Sequence, residues 1–223
     1  IWVVDKNGGT ARRLTKTTNE ESDPVISPDG NLIAFSQSNG DDLDIFVTDP
    51  EEESEPRRIT MMPVDDYPVS WSPDSKSLIF ATTRDEGTLF RLYQIEVRNP
   101  TIAKSLPLPQ SLDGTLSPDG KFIAYNPRQY IFGEWSYYRG GATAPIWITN
   151  LQTGSTEKLT TQNSNDKNPM WIKNRIYFLS DRTGIFNLFS FDRQTRQTKQ
   201  LTKFEGQGIR SAYADNEAIS FIQ

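Results

Sequence analysis

The residues best suited to chemistry in this sequence are carboxylates. Asp29, Asp74 and Asp119 stand in the tetrapeptides SPDG, SPDS and SPDG, 45 residues apart. Carboxylates gathered at one mouth of a channel would hold an ion or act as acid and base on a sugar. The sequence contains no histidine and no cysteine. That composition excludes Ser-His-Asp and Cys-His nucleophiles, thiolate metal sites, disulfides and nearly all zinc sites.

Two further acidic stretches give weaker indications of a metal site. Residues 41–44 (DDLD) resemble a fragment of a calcium loop, but they lack its D-x-[DN]-x-[DN]-G register and its closing glutamate. Residues 51–55 (EEESE) form a charge run typical of a solvated loop between strands. We therefore predict no metal site and no cofactor.

The elements that would position the recurring aspartates repeat at the same interval. Each SPDG-like tetrapeptide precedes a short apolar run, and no segment has the i, i+3, i+4, i+7 stripe of an amphipathic helix. The apolar runs of the repeat are 32–35, 78–80, 122–125 and 176–179. A strand-rich repeat of 40–50 residues is typical of the four-stranded antiparallel blades of a β-propeller. The predicted fold class is therefore an all-β propeller.

Counting strands along the repeat gives the expected domain organisation. Residues 1–223 are expected to form one propeller domain with four complete blades, at 16–60, 61–109, 110–160 and 161–202. Residues 1–15 supply only third and fourth strands, and residues 203–223 only first and second strands. The propeller would have five blades if these half-blades pair, and would otherwise be an arc of a six-bladed ring.

The repeated tetrapeptide itself predicts a tight turn. Proline presets φ at its second position, aspartate suits the third, and glycine permits positive φ, so a type I turn with a three-residue loop is expected. The residues assigned to these structural turns are Pro28, Asp29, Gly30, Pro73, Asp74, Pro118, Asp119 and Gly120. On this interpretation the recurring aspartates build bends and perform no chemistry.

A propeller glycosidase is the enzymatic alternative, and the motifs argue against it. Sialidase-like S-x-D-x-G-x-T-W boxes are absent, because glycine directly follows aspartate in SPDG. The first strands, which line the channel of a propeller, are expected to be short and mostly to begin at a proline, at 24–26, 68–71, 115–116 and 169–171. They are expected to carry almost no ionisable side chain before Arg210. No G-x-S-x-G or Walker A motif occurs. We therefore predict that this region is not an enzyme.

Residues 127–145 (PRQYIFGEWSYYRGGATAP) are the clear departure from the repeat. They lengthen the connection between second and third strands, and such insertions often form binding loops. The candidate contact residues for a partner or peptide are Tyr130, Phe132, Trp135, Tyr137, Tyr138 and Arg139. Aromatic residues and arginine are typical of interface hot spots. The alternative is a hydrophobic plug that folds back over the blades.

The tryptophans and the charge balance restrict other functions. Trp71 and Trp171 share one repeat position, Trp2 and Trp147 lie in third strands, and all four are expected to pack between blades. The formal net charge is −5, with scattered basic residues, so no nucleic-acid surface is predicted. No apolar run approaches the roughly 20 residues that span a bilayer, and no signal peptide is visible.

These motifs resemble a known family. The pattern SPDG-x-x-IA[FY], followed by R[RK][IL]T, is similar to TolB-type, WD40-like (PD40) repeats. Residues 137–160 and 168–192 resemble the N-terminal propeller of tricorn-like proteases, with Arg139-Gly140-Gly141 and Ser180-Asp181-Arg182 as the more specific stretches. The family's paired-arginine peptide anchor has no match, because the corresponding stretch, residues 61–66, reads MMPVDD. Capture of a peptide terminus is therefore not carried over from the family.

The resemblance implies a non-catalytic scaffold that binds or gates peptides or proteins. Its partners would be peptides, proteins and further domains of the same parent protein, and its compartment would be the cytoplasm. A TolB-like periplasmic protein-interaction propeller is the alternative. The catalytic residues of the tricorn family lie far downstream of the propeller and are not in this sequence.

Overall fold

The computed structural model describes residues 1–51, 55–85, 89–127, 139–215 and 218–223. Every regular element in these ranges is a β-strand. None of the described residues forms a helix long and apolar enough to cross a membrane. The chain divides into two compact units, one of residues 1–88 with 93–104 and one of residues 89–92 with 105–223.

The first half of the chain contains a two-stranded sheet followed by two four-stranded sheets. The two-stranded sheet joins β1 (Trp2–Val3) to β2 (Arg12–Arg13). The first four-stranded sheet contains β3 (Glu21–Ile26), β4 (Ile33–Ser38), β5 (Leu43–Thr48) and β6 (Arg57–Arg58). The second contains β7 (Asp66–Trp71), β8 (Ser77–Thr82), β9 (Arg91–Glu96) and β10 (Lys104–Ser105).

The second half repeats this arrangement and ends on a two-stranded sheet. The third four-stranded sheet contains β11 (Asp113–Leu116), β12 (Phe122–Asn126), β13 (Trp147–Asn150) and β14 (Thr156–Lys158). The fourth contains β15 (Asp166–Ile172), β16 (Arg175–Ser180), β17 (Asn187–Asp192) and β18 (Thr198–Gln200). The final sheet joins β19 (Ser211–Ala214) to β20 (Ile219–Ile222).

Each four-stranded sheet follows chain order, as expected of propeller blades. The second strands are buried over nearly their whole length, which explains why they appear as continuous apolar runs without alternation. Each half-unit forms a two-stranded sheet of its own. The single-domain assignment and the choice between five blades and an arc of six stay predictions.

Tryptophans join adjacent sheets at the shared repeat position. Trp71 packs in a buried cluster with Ala34 and Ile45 of the first sheet, and its indole N–H donates to the Val25 carbonyl at 3.1 Å. Trp171 packs in the equivalent cluster with Ala124 of the third sheet, but its indole N–H donates to the Lys173 carbonyl, in the turn after its own strand, at 3.1 Å. The expectation for this pair is confirmed, whereas Trp2 is 67% exposed and Trp147 is only half-buried.

A threonine fixes the closing end of three units. In each, its hydroxyl accepts the N–H of a residue at the start of the third strand. The pairs are Ile45 with Thr60 at 2.9 Å, Ile146 with Thr160 at 3.0 Å, and Leu188 with Thr202 at 2.9 Å. These bonds satisfy backbone groups that the short fourth strands leave unpaired, which is the physical reason for the repeated apolar-Thr pair.

The three SPDG-like turns share one geometry. The N–H of the fourth residue donates to the serine carbonyl, at 2.8 Å for Gly30 and Gly120 and at 2.9 Å for Ser75. The φ angles at these positions are +77°, +67° and +59°. The aspartate accepts a hydrogen bond of 2.6 Å from the serine hydroxyl in every copy, and this bond is the main cause of the lowered aspartate pKa.

The loop is one residue longer than the sequence predicts. The Ser27 N–H donates to the Leu32 carbonyl at 2.8 Å, so residues 28–31 form a four-residue loop. The Leu32 N–H would then lose its backbone partner, and it donates instead to the Ser27 hydroxyl at 2.9 Å. The serine side chain therefore replaces a ladder bond, which the three-residue expectation did not include.

Replacement of Gly120 by valine is expected to lower the free energy of unfolding by about 1–3 kcal/mol. No atom lies within 4 Å of an added Cβ, so the cost comes from a β-branched residue at positive φ rather than from a clash. Gly120→Ser should cost less, because Ser75 already occupies this conformation in the second sheet. Chemical denaturation of both variants measures the difference, and equal stabilities would contradict the assignment.

The first strands begin earlier than the sequence predicts. Register shifts between Ser22 and Val25 and between Pro68 and Ser70 let pairing continue past the proline, which cannot donate to the ladder. A similar shift precedes Met170. The extended strands start with acidic residues, namely Glu21, Asp66, Asp113 and Asp166. The expectation that first strands carry almost no ionisable side chain before Arg210 is therefore wrong.

Candidate functional site

Two of the first-strand carboxylates are neutralised within their own sheets. The Arg84 guanidinium donates from Nη2 to both oxygens of Asp66, at 3.1 and 3.2 Å, and lies over the rings of Phe80 and Tyr93. Asp66 is fully buried, and burial raises its pKa against the effects of Thr82 and Arg84. A carboxylate enclosed in this way is structural, since it offers no open face to a ligand.

The fourth sheet contains the same arrangement. Arg182 donates to Asp166 at 3.2 Å and lies 5.2 Å and 4.7 Å from the ring centroids of Phe178 and Phe189. Ser180 also accepts from Arg182, at 2.8 Å. An ion pair backed by two rings therefore recurs at one repeat position, in the second and the fourth sheets.

Asp113 differs from these carboxylates. Its Oδ2 accepts the backbone N–H of Asn168 at 2.8 Å, which ties β11 to β15. Burial raises the Asp113 pKa to about 6, although the Asn168 bond and the Lys167 ammonium act to lower it. Lys167 donates to the Arg210 carbonyl at 2.8 Å and lies 4.5 Å from the Phe186 ring centroid. Arg128 holds the sequence position equivalent to Arg84 and lies outside the described residues.

Replacement of Asp113 by asparagine is expected to raise the free energy of unfolding at pH 8 by about 1–2 kcal/mol. A folded-state pKa above the ordinary value of 3.8 means that the folded protein binds the proton more tightly, so wild-type stability falls as pH rises from about 4 to about 6. Asparagine removes the desolvated charge and keeps an oxygen for Asn168. Denaturation at pH 4 and pH 8 measures the effect, and a difference that does not grow with pH would contradict it.

Residues 139–145, at the end of the insertion, are fixed to the fourth sheet. Arg139 donates from Nη1 to Asp181 Oδ2 at 3.1 Å and from Nη2 to the Asp181 carbonyl at 2.8 Å. The Arg139 carbonyl accepts from the Asn163 side-chain amide. Asp181 is fully buried and also accepts the backbone and side-chain N–H groups of Asn165, both at 2.9 Å. Asp181 thus positions the start of residues 139–145 against the loop that follows β14.

A cavity of about 750 Å³ lies beside this cluster, within the second unit. It lies at one end of the third sheet, where β12 ends, β13 begins and β14 ends. Its described lining combines two cations, amides, a hydroxyl, prolines and one tryptophan. The lining residues are Gln110, Pro127, Arg139, Gly140, Gly141, Thr143, Pro145, Trp147, Lys158 and Asn163. No carboxylate is among them.

Of the six contact residues predicted for the insertion, the structure describes one. Tyr130, Phe132, Trp135, Tyr137 and Tyr138 lie outside the described residues. Arg139 lines the cavity, with its guanidinium engaged by Asp181. Sequence reasoning missed Trp147 and Lys158, which are opposite each other in the β13–β14 register. Strand alternation could have placed the two on one face, but nothing local in the sequence indicates a cavity there.

The acidic stretch 41–44 has structural partners. Asp44 is fully buried and forms an ion pair with Arg58. Burial raises its pKa, and the Arg58 charge acts against that effect. Within the described ranges, no three His, Cys, Asp or Glu side chains are grouped to hold a metal ion.

Four-stranded antiparallel sheets repeated in chain order define the class of the protein, which is a β-propeller. The family model described as the Tricorn protease N-terminal beta propeller domain matches residues 1–223. The chain belongs to this family. The two stretches that the sequence resemblance marks as more specific are in direct contact, because Arg139 binds Asp181.

Individual relatives agree with this assignment. The Tricorn protease homolog of Saccharolobus solfataricus is 27% identical over 229 residues, covering 99% of this chain and 21% of the relative. The crystal structure of the tricorn protease gives a TM-score of 0.81 at 24% identity, over 99% of this chain and 22% of that one. TolB from Acinetobacter baumannii gives 0.71 at 24% identity, over 92% and 49%. These structural similarities show the fold, and the chain spans about a fifth of the curated relative's length.

Proposed function

We propose that this propeller is a non-catalytic part of a larger protein of the tricorn family, and that it binds peptides or extended protein segments. The observation that carries the proposal is the cavity beside Arg139. Its tryptophan and prolines supply apolar contact area, and its amides and hydroxyl supply hydrogen bonds. This mixture suits a polypeptide, which presents both side chains and backbone polar groups.

The preorganisation of the cavity wall supports the same function. Arg139 and Asn163 are held by hydrogen bonds to buried or neighbouring groups before any ligand arrives. A wall that is already ordered loses little conformational entropy on binding. Relatives named as proteases, of which this chain covers 21%, make the remaining domains of the parent protein the natural recipients of bound peptides.

Titration of the folded chain with fluorescently labelled peptides of about ten residues tests the proposal. Saturable binding, with the peptides recovered intact by mass spectrometry, is the expected result. Absence of binding across peptides of varied sequence would overturn the binding function. Peptide cleavage abolished by one substitution in this chain would overturn the non-catalytic assignment.

A further inference from the structure

The charges around the cavity are unbalanced in a chain that is acidic overall. The sequence contains 29 acidic and 24 basic residues. The described cavity lining nevertheless contains two cations and no carboxylate. Since Asp181 neutralises Arg139 from behind the wall, the uncompensated charge of the described lining belongs to Lys158.

The structure also shows why Lys158 keeps its charge available. Its neighbour Glu157 points away, because successive side chains of a strand alternate between faces. Glu157 is bound by Arg196 at 3.1 Å, so its carboxylate is engaged elsewhere. The Lys158 side chain is exposed, and its ammonium forms no hydrogen bond or ion pair with another described residue. It faces Trp147 across the β13–β14 pair.

We infer that the cavity selects a peptide segment bearing a carboxylate, with Lys158 as the residue that recognises the charge and Trp147 as the apolar contact beside it. This inference rests on the peptide-binding function proposed above. The carboxylate belongs to an acidic side chain or to a peptide C-terminus, and both present the same group to an ammonium. The chain carries a formal net charge of −5. A cation with no ion-pair partner among the described residues therefore gives the cavity its selectivity for an acidic ligand.

Three peptides of one sequence distinguish the sources of the carboxylate. The first has a central glutamate and an amidated C-terminus, the second has glutamine in its place and is also amidated, and the third has glutamine and a free C-terminus. At low ionic strength the first or third peptide is expected to bind about 5–10-fold more tightly than the second. The tighter of the two identifies the source, and equal binding of all three would overturn the inference.

Substitution of Lys158 completes the test. Lys158→Glu is expected to remove the preference, and Lys158→Gln should remove it without adding a repulsive charge. The matched control is Lys199→Glu, an exposed lysine in the fourth strand of the next sheet that does not line the cavity, and it should retain the preference. An unchanged preference in both Lys158 variants would contradict the role of this residue.

A second pair of variants separates this inference from the proposed function. Trp147→Ala should lower the affinity for all three peptides by a similar factor, because the apolar contact does not depend on charge. Trp2→Ala, at an exposed tryptophan in β1, is the control and should change nothing. If Trp147→Ala weakens binding while charge has no effect, the binding function survives and the carboxylate preference is wrong. If no peptide binds the wild type, the binding function and the carboxylate preference are both wrong.

Discussion

Replacement of Asp66 by alanine is expected to lower the free energy of unfolding by about 3–5 kcal/mol. The carboxylate is fully buried, and Arg84, its partner, is itself only 15% exposed in its side chain. Alanine would leave the guanidinium enclosed by Phe80 and Tyr93 without a counter-ion. Most of the expected loss is the cost of that unpaired charge.

A double-mutant cycle tests this cause directly. Arg84→Met removes the stranded cation and keeps an unbranched apolar chain over the rings, so Asp66→Ala with Arg84→Met should be less destabilised than the sum of the single variants. Asp65→Ala is a matched control, because the adjacent aspartate is partly exposed and accepts hydrogen bonds from the Leu43 N–H and the Tyr67 hydroxyl rather than from a buried arginine. Urea denaturation measures all five proteins, including the wild type, and strict additivity would contradict the charge argument.

Replacement of Phe178 by alanine is also expected to lower the free energy of unfolding by about 3–5 kcal/mol. Phe178 is fully buried in the cluster shared with Trp171, and its ring stacks on Phe189 at 6.1 Å. The same ring forms one wall of the site for the Arg182 guanidinium. Alanine would therefore open a cavity and remove one aromatic contact of a nearly buried cation.

Leucine at position 178 separates the contribution of the buried volume from that of the aromatic contact with Arg182. Phe178→Leu restores most of the apolar volume and lacks the ring, so it should recover more than half of the stability lost in Phe178→Ala. The remaining deficit estimates the contribution of the aromatic face. Phe221→Ala is the control, since Phe221 is 39% exposed, and it should cost less than about 1 kcal/mol. A leucine variant as unstable as the alanine variant would show that the ring contact dominates over volume.

The sequence predicts the blades well because their determinants are local. A strand that is buried on both faces must be a continuous apolar run, and the tight turn before it needs residues that accept its φ angles. Both signals fall within a few residues, so they survive in a single sequence. The family resemblance came from the same stretches, and the match over residues 1–223 confirms it.

The ion pairs between aspartates and arginines are features that local sequence patterns do not predict. Asp66 and Arg84 are 18 residues apart, and Asp166 and Arg182 are 16 apart. Each pair recurs at one repeat position, so comparison of units could have found it. The proline in the first strand instead suggested a late strand start, whereas a bulge lets pairing continue through it. The acids that precede the proline therefore fall outside the strands that the sequence predicts.

By itself the sequence determined the repeat, the strand order within each sheet and the positions of the turns, because these depend on neighbours along the chain. Only the tertiary structure decided which side chains meet around the cavity. Its described lining comes from separate parts of the chain, namely residues 110, 127, 139–147 and 158–163. The electrostatic character of that cavity depends on Asp181 lying behind Arg139 and on Glu157 turning towards Arg196. Those are matters of distance in space, and no spacing along the chain encodes them.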